Sequence, residues 1–161
     1  MPNALRNLTV MRALNHRRKE QAQTGLTKMK ILIVGSPSLA HVIRDLFRDQ
    51  PEFDVAGTAP GLRSGAREAK RLRPELIVAN VRPVAARACD VATSIKRSSP
   101  LSSLILVGPI RDLMDGAIGC GADACLEQEK LVLRLVPTAL ALSRSKAAQD
   151  IVVIPGRFTQ S

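Results

Sequence analysis

Five short runs rich in β-branched and apolar residues, separated by segments of helical periodicity, restrict this chain to few architectures. The runs are KILIVGS (30–36), FDVAGTA (53–59), ELIVANV (75–81), LSSLILVG (101–108) and ADACLE (122–127). After the first, PSLAHVIRDLFRDQ sets Leu39, Val42, Ile43, Leu46 and Phe47 at helical spacing with charges on the other side. After the second, GLRSGAREAKRLR (61–73) turns Leu62, Ala66, Ala69 and Leu72 inward, and Pro74 stops that helix. RACDVATSIKRS (87–98), RDLMDGAIGCG (111–121) and EKLVLRLVPTALALSRSKAA (129–148) read as three further helices, the last kinked or divided at Pro137. Five strands alternating with helices predict an α/β fold: a doubly wound, five-stranded parallel sheet with helices on both faces.

At 161 residues the chain suits one core with tails. Residues 29–148 form the expected domain, with a basic extension over 1–28 and a tail over 149–161 that is an edge strand or a mobile end. Most of the formal charge of +10 sits in the first 30 residues, where Arg6, Arg12, Arg17, Arg18 and Lys19 lead seven basic residues against Glu20. Met29 stands just before the first strand, so the extension reads as disordered or as an over-called start. Its alternative is an arm for nucleic acid or an acidic surface. No apolar run approaches a membrane span. Cys89, Cys120 and Cys125 are odd in number and lack metal-ligand spacing, which predicts reduced thiols in a cytoplasmic protein.

Open parallel sheets collect functional groups at the carboxyl ends of their strands. Those ends carry Gly35 and Ser36, Asn80, Val107 and Gly108, and Glu127 and Gln128. No G-x-G-x-x-G, Walker lysine or Ser-His-Asp set accompanies them, so no enzyme chemistry, metal or cofactor is expected.

ILIVGS, DVAGTA, PELIVANVRP, LILVG and GADACLEQ, in this order and spacing, resemble the strands of the receiver domain of bacterial response regulators, from about Lys30 to Arg144. The resemblance implies a flavodoxin-like, CheY-like fold and a place in two-component phosphorelay signalling. It also implies a phosphorylation site, whose acidic pair falls on Gly35 and Ser36, its phosphoacceptor on Asn80, its hydroxyl on Val107 and its lysine on Gln128. The aromatic switch position falls on Cys125. None of these residues retains the family's chemistry. An amide is no nucleophile for phosphoryl transfer, and Mg²⁺ needs hard, charged oxygen ligands. The expectation is a degenerate pseudo-receiver, acting by protein–protein interaction with a signalling partner or a second copy. The resemblance places its contact face on Arg111, Asp112, Asp115, Leu131 and Arg134.

Two other readings stand beside it. The Gly35–Ser36 turn at a helix N-terminus is a candidate cradle for a small anion or nucleotide phosphate. The stripe Arg63, Arg67, Lys70 and Arg71, together with the N-terminal arm, is a candidate nucleic-acid contact that is backbone-directed, since Phe47, Phe53 and Phe158 are the only aromatic residues. His41 reads as a partly exposed helical histidine and Asp123 as a turn cap.

Overall fold

The computed structural model describes residues 28–81, 87–114 and 116–152, with side chains described up to 146. The elements run β1 (Met29–Val34), α1 (Pro37–Phe47), β2 (Phe53–Ala59), α2 (Leu62–Leu72), β3 (Leu76–Asn80), α3 (Ala88–Ser98), β4 (Ser103–Gly108), α4 (Ile110–Leu113), β5 (Ala124–Glu127), a 3₁₀ turn (Gln128–Lys130) and α5 (Leu131–Val152). All pairings are parallel, in the order β2-β1-β3-β4-β5. The chain starts in the second position of the sheet and reverses its winding between β1 and β3, which opens a crevice above those two strands.

Because side chains alternate along a strand, the sheet divides the apolar residues into two cores. Leu32, Val34, Ile77, Ala79, Leu104 and Leu106 face α2 and α3, while Ile31, Ile33, Leu76, Val78, Ile105 and Val107 face α1 and α5. All four residues Leu76–Ala79 are fully buried, as a strand covered on both sides requires.

Close approach of α2 to the sheet depends on Gly65, where an added Cβ would lie 2.7 and 2.8 Å from the two γ-carbons of Val34. Val34 is branched at Cβ and fully enclosed, so it has little freedom to turn away. Gly65→Ala is therefore expected to lower stability by about 1–2 kcal/mol in denaturant unfolding, the overpacking cost exceeding the gain in helix propensity. A more stable variant would show that α2 moves outward freely.

Several sequence expectations need correction. Val42 is 41% exposed, because the buried stripe of α1 runs through Leu39, Ile43 and Phe47 and leaves Val42 at its edge. The helix expected over 111–121 is cut to Ile110–Leu113, and the chain continues as turns with Gly116 at φ +76° and Gly121 at φ +116°. Glycine tolerates these left-handed values and weakens helix propagation, so the short helix wins. Pro137 does not divide α5, which runs through it to Val152. The ring sits on the exposed side of that helix, where the carbonyl that loses its N–H partner has access to water.

Helix α2 ends on Arg73, the one non-glycine residue with positive φ (+47°) among those described. Its N–H closes the last turn on the Ala69 carbonyl at 3.0 Å, and Pro74 then directs the chain into β3.

Candidate functional site

The crevice above β1, β3 and β4 is built by register. Ile33 pairs with Val78, Val34 with Ala79 and Asn80 with Val107, which aligns the carboxyl ends of the three strands. Gly35 follows β1 and lies against the same row, since a Cβ on it would meet the Cβ of Asn80 at 3.3 Å and Cδ2 of Leu39 at 3.2 Å. Gly35, Asn80 and Val107, distant in sequence, are thus brought together. Asn80 is half-buried, and Val107 is fully enclosed in the α1/α5 core. The Val81 N–H donates to the Val107 carbonyl at 2.9 Å and extends the pairing one residue past β3.

Ser36 is exposed and caps α1, its Oγ accepting the Leu39 N–H at 3.3 Å. This use also bears on anion binding at the turn. The Gly35 N–H goes to the Ala59 carbonyl at 2.8 Å, Pro37 has none, and that of Leu39 is taken by Ser36. Few backbone donors remain to cradle a phosphate. Gln128 begins the 3₁₀ turn after β5 and is exposed, lining an open cleft of about 630 Å³ with Gly108, Pro109, Ile110, Arg111, Glu127 and Glu129.

A divalent cation does not fit this crevice. Among the described residues its oxygen donors are an amide, a hydroxyl already used as a cap, and backbone carbonyls, none of them charged. No group of three or more His, Cys, Asp or Glu side chains suited to a metal occurs among the described residues.

On the opposite face of the sheet, Cys125 pairs in register with Leu106 and packs on the α2/α3 core, where burial pushes its thiol pKa up. The expectation of three reduced thiols is overturned for the other two. Cys89, in the first turn of α3, and Cys120, in the turn segment before β5, form a disulfide with Cα atoms 5.3 Å apart. No sequence signal announced this pair. The 31-residue separation matches no motif, and the facing of the two cysteines depends on how α3 packs against the 116–121 segment.

Asp123 does more than cap a turn. Its Oδ2 accepts the Leu104 N–H at 2.7 Å and lies 3.0 Å from Lys96 Nζ, which also donates to the Ser102 carbonyl at 2.5 Å. The Asp123 N–H returns to the Leu104 carbonyl at 2.8 Å, so the residue fastens the entrance of β5 to β4 and α3. Beneath it, the buried Ser99 and Ser102 hydroxyls share a hydrogen bond, and Ser102 donates on to the Pro74 carbonyl.

The expected contact face is partly re-drawn. Arg111 and Arg134 are exposed and Asp112 is half-buried. Leu131 is removed from the face: as the first residue of α5 it points inward and is 3% exposed in the α1/α5 core. Asp115 lies outside the described residues, as do Arg6, Arg12, Arg17, Arg18 and Lys19. Sequence reasoning missed the large apolar side chains that are exposed in these elements: Ile110, Met114 and Ile118 on and after α4, and Val132 and Leu133 at the start of α5. The amphipathic spacing of α5 offered a signal for the last two.

On α2, Arg63, Arg67 and Lys70 are exposed, but Arg71 forms an ion pair with Glu68 at 2.7 Å that holds the carboxyl below its usual range. His41 is exposed, 3.5 Å from Asp45. No described helix is long and apolar enough to cross a membrane.

No protein-family model and no curated protein matches the sequence significantly. Solved structures do match the fold. The signal receiver domain of a Luxo repressor protein from Vibrio parahaemolyticus is 25% identical, with 80% of this chain and 98% of that one covered at a TM-score of 0.65. The response regulator domain of Thermotoga maritima CheB is 18% identical, covering 74% of this chain and 96% of its own at 0.62. The chemotaxis protein CheY4 of Vibrio cholerae is 16% identical, covering 71% and 98% at 0.59. With its strand order, its two cores and these likenesses, the chain has the fold of a response-regulator receiver domain: a flavodoxin-like, five-stranded parallel sheet between two layers of helices.

Proposed function

We propose that this chain is a receiver-like module of bacterial signal transduction that works without phosphorylation or enzymatic chemistry, in the cytoplasm, by binding a signalling protein or a second copy of itself. The observation that carries the reading is the row Gly35, Asn80 and Val107 at the carboxyl edge of the sheet. It puts an amide at the position the resemblance reserves for a phosphoacceptor, between a glycine and a valine that supply neither metal ligand nor hydroxyl. Loss of the whole set together favours a retained fold with a changed input over a damaged enzyme, because these groups act as a unit.

The proposed output surface is the apolar group Ile110, Met114, Ile118, Val132 and Leu133, bordered by Arg111, Glu129, Lys130 and Arg134. Apolar residues with a rim of both charges suit a protein contact better than a polyanion. The nucleic-acid alternative keeps only Arg63, Arg67 and Lys70 as exposed cations of the α2 stripe without an ion pair.

Two measurements test the proposal together. Incubation of the wild type with a small phosphodonor and Mg²⁺ is expected to add no base-labile acyl phosphate by intact mass. In sedimentation or pull-down against the cognate signalling proteins, Met114→Glu and Leu133→Glu are each expected to weaken association at least about tenfold, while melting as the wild type does, since both positions are over three-quarters exposed. Stoichiometric phosphorylation would overturn the first half, and unchanged association of both variants the second.

A further inference from the structure

The described residues 116–121, between α4 and β5, form turns with no helix or strand. Among the described residues the segment's backbone hydrogen bonds are local up to Ala122, with Cys120 N–H to the Gly116 and Ala117 carbonyls, Gly121 N–H to Ile118 and Ala122 N–H to Ala117, at 3.1 to 3.2 Å, and the backbone bonds to β4 only at Asp123, whose N–H donates to the Leu104 carbonyl. Among its described residues Ala117 and Ala122 are buried, while Ile118 and the preceding Met114 face solvent. Two glycines at positive φ bracket it. It is tied to the rest of the domain by the bond from Cys120 to Cys89 on α3, by Ala117 and Ala122 in the α2/α3 core, by the Lys96 side chain against Gly121 and, at its end, by Asp123 on Leu104 and Lys96.

We propose that Cys89–Cys120 is a reversible thiol–disulfide exchange site, through which small-molecule disulfides of the glutathione class set the arrangement of residues 114–121 and thereby the apolar face around α4. Both cysteines are half-buried, within reach of a small thiol. In oxidation, the thiolate of one cysteine attacks a sulfur of glutathione disulfide and expels one glutathione thiolate. The second cysteine then attacks the protein-bound sulfur of this mixed disulfide and expels the other. The protein gives up two electrons and two protons, and one glutathione disulfide becomes two glutathione thiols. Reduction is the reverse. Cys125, half-buried on β5 like the other two but with its thiol pKa raised by desolvation, presents less thiolate for either step.

The reduced segment keeps its local bonds, the buried Ala117 and Ala122, and the Asp123 anchor at its end. Such a segment opens on its own, below the free energy of global unfolding. Met114 and Ile118 would then move with the segment, which couples the thiol state to the proposed contact face. The coupling rests on that reading of the face; the exchange site and the local opening do not.

The full chain equilibrated in glutathione buffers of graded ratio, then quenched by alkylation, tests the site. Cys89 and Cys120 are expected to change together with a single midpoint inside the accessible range, and Cys125 to stay a thiol throughout. Hydrogen exchange on the two forms without any partner tests the device. Reduction is expected to bring amides 116–122 within about tenfold of unfolded-chain exchange, while β3 and β4 keep protection of about 10³ or more. The double variant Cys89→Ser/Cys120→Ser is expected to show the reduced pattern in every buffer. A disulfide that resists the whole range of ratios overturns the proposal. So does exchange at 116–122 that is unchanged, or that rises only in parallel with β3 and β4, since the bond is then a plain staple. Because no partner is present, these outcomes are separate from failure of the contact face, which the Met114→Glu and Leu133→Glu variants report.

Discussion

Full reduction of Cys89–Cys120 is expected to lower the melting temperature by about 10–15 °C while leaving the domain folded at room temperature. The bond closes a loop of 31 residues holding α3, β4 and α4. The chain-entropy account assigns a loop of that length a stabilisation of about 3–4 kcal/mol, by restricting the unfolded ensemble. For a domain of about 120 residues, unfolding entropy near the midpoint converts that into the stated shift. Most of the two cores comes from the sheet and from α1, α2, α3 and α5, and only Leu113, Ala117 and Ala122 come from the part of the chain next to the bond at Cys120. Thermal unfolding followed by circular dichroism, with and without reductant and with thiols counted in each sample, is the measurement. Cys89→Ser should melt like the reduced wild type and be insensitive to reductant. A reduced wild type, verified to hold three thiols, that melts with the oxidised form would show that the unfolded chain gains nothing from opening this loop.

How far the fold can be read from sequence depends on which forces act locally. Alternation of apolar strands with amphipathic helices is local, and the five strands lie within two residues of their expected ends. Strand order is not local; it came from the resemblance. The α4 region failed for a chemical reason, because Leu113 and Ala117 have helical spacing while Gly116 and Gly121 adopt left-handed angles that end the helix. Leu131 failed for a geometrical one. Its place on α5 is fixed by where the 3₁₀ turn hands the chain over, which sets the inward stripe through Leu131, Leu135 and Ala139. At the crevice, Asn80 and its neighbours fell together because strand ends in a parallel sheet are aligned by register. The disulfide joins residues whose proximity exists only after α3 has packed, so no pattern in the chain could have announced it.

Restoring the phosphoacceptor alone should restore almost nothing. Asn80→Asp exchanges an amide for a carboxylate of nearly equal size, so the variant is expected to fold as the wild type does. Its acyl-phosphate formation with a small phosphodonor and Mg²⁺ should nevertheless remain at least about 10²-fold below that of a receiver with a complete site, because each missing electrostatic partner in phosphoryl transfer costs a factor of this order. Adding the metal ligand at position 35 is blocked by packing as well as by chemistry. A Cβ there meets Leu39 at 3.2 Å and Asn80 at 3.3 Å, before any carboxylate is placed. Gly35→Asp is expected to cost about 1–3 kcal/mol as overpacking. Combined with Asn80→Asp it should cost more than the sum of the two, since two carboxylates would face each other beside the apolar side chain of Leu39. Added Mg²⁺ should recover part of that loss only if it can be chelated between them, so the metal dependence of the double variant's melting curve reads the geometry directly. Efficient labelling of Asn80→Asp alone would place a metal site elsewhere in the crevice and end the pseudo-receiver reading. A Gly35→Asp variant as stable as the wild type would show that Leu39 yields, and that chemistry rather than packing keeps the position empty of charge.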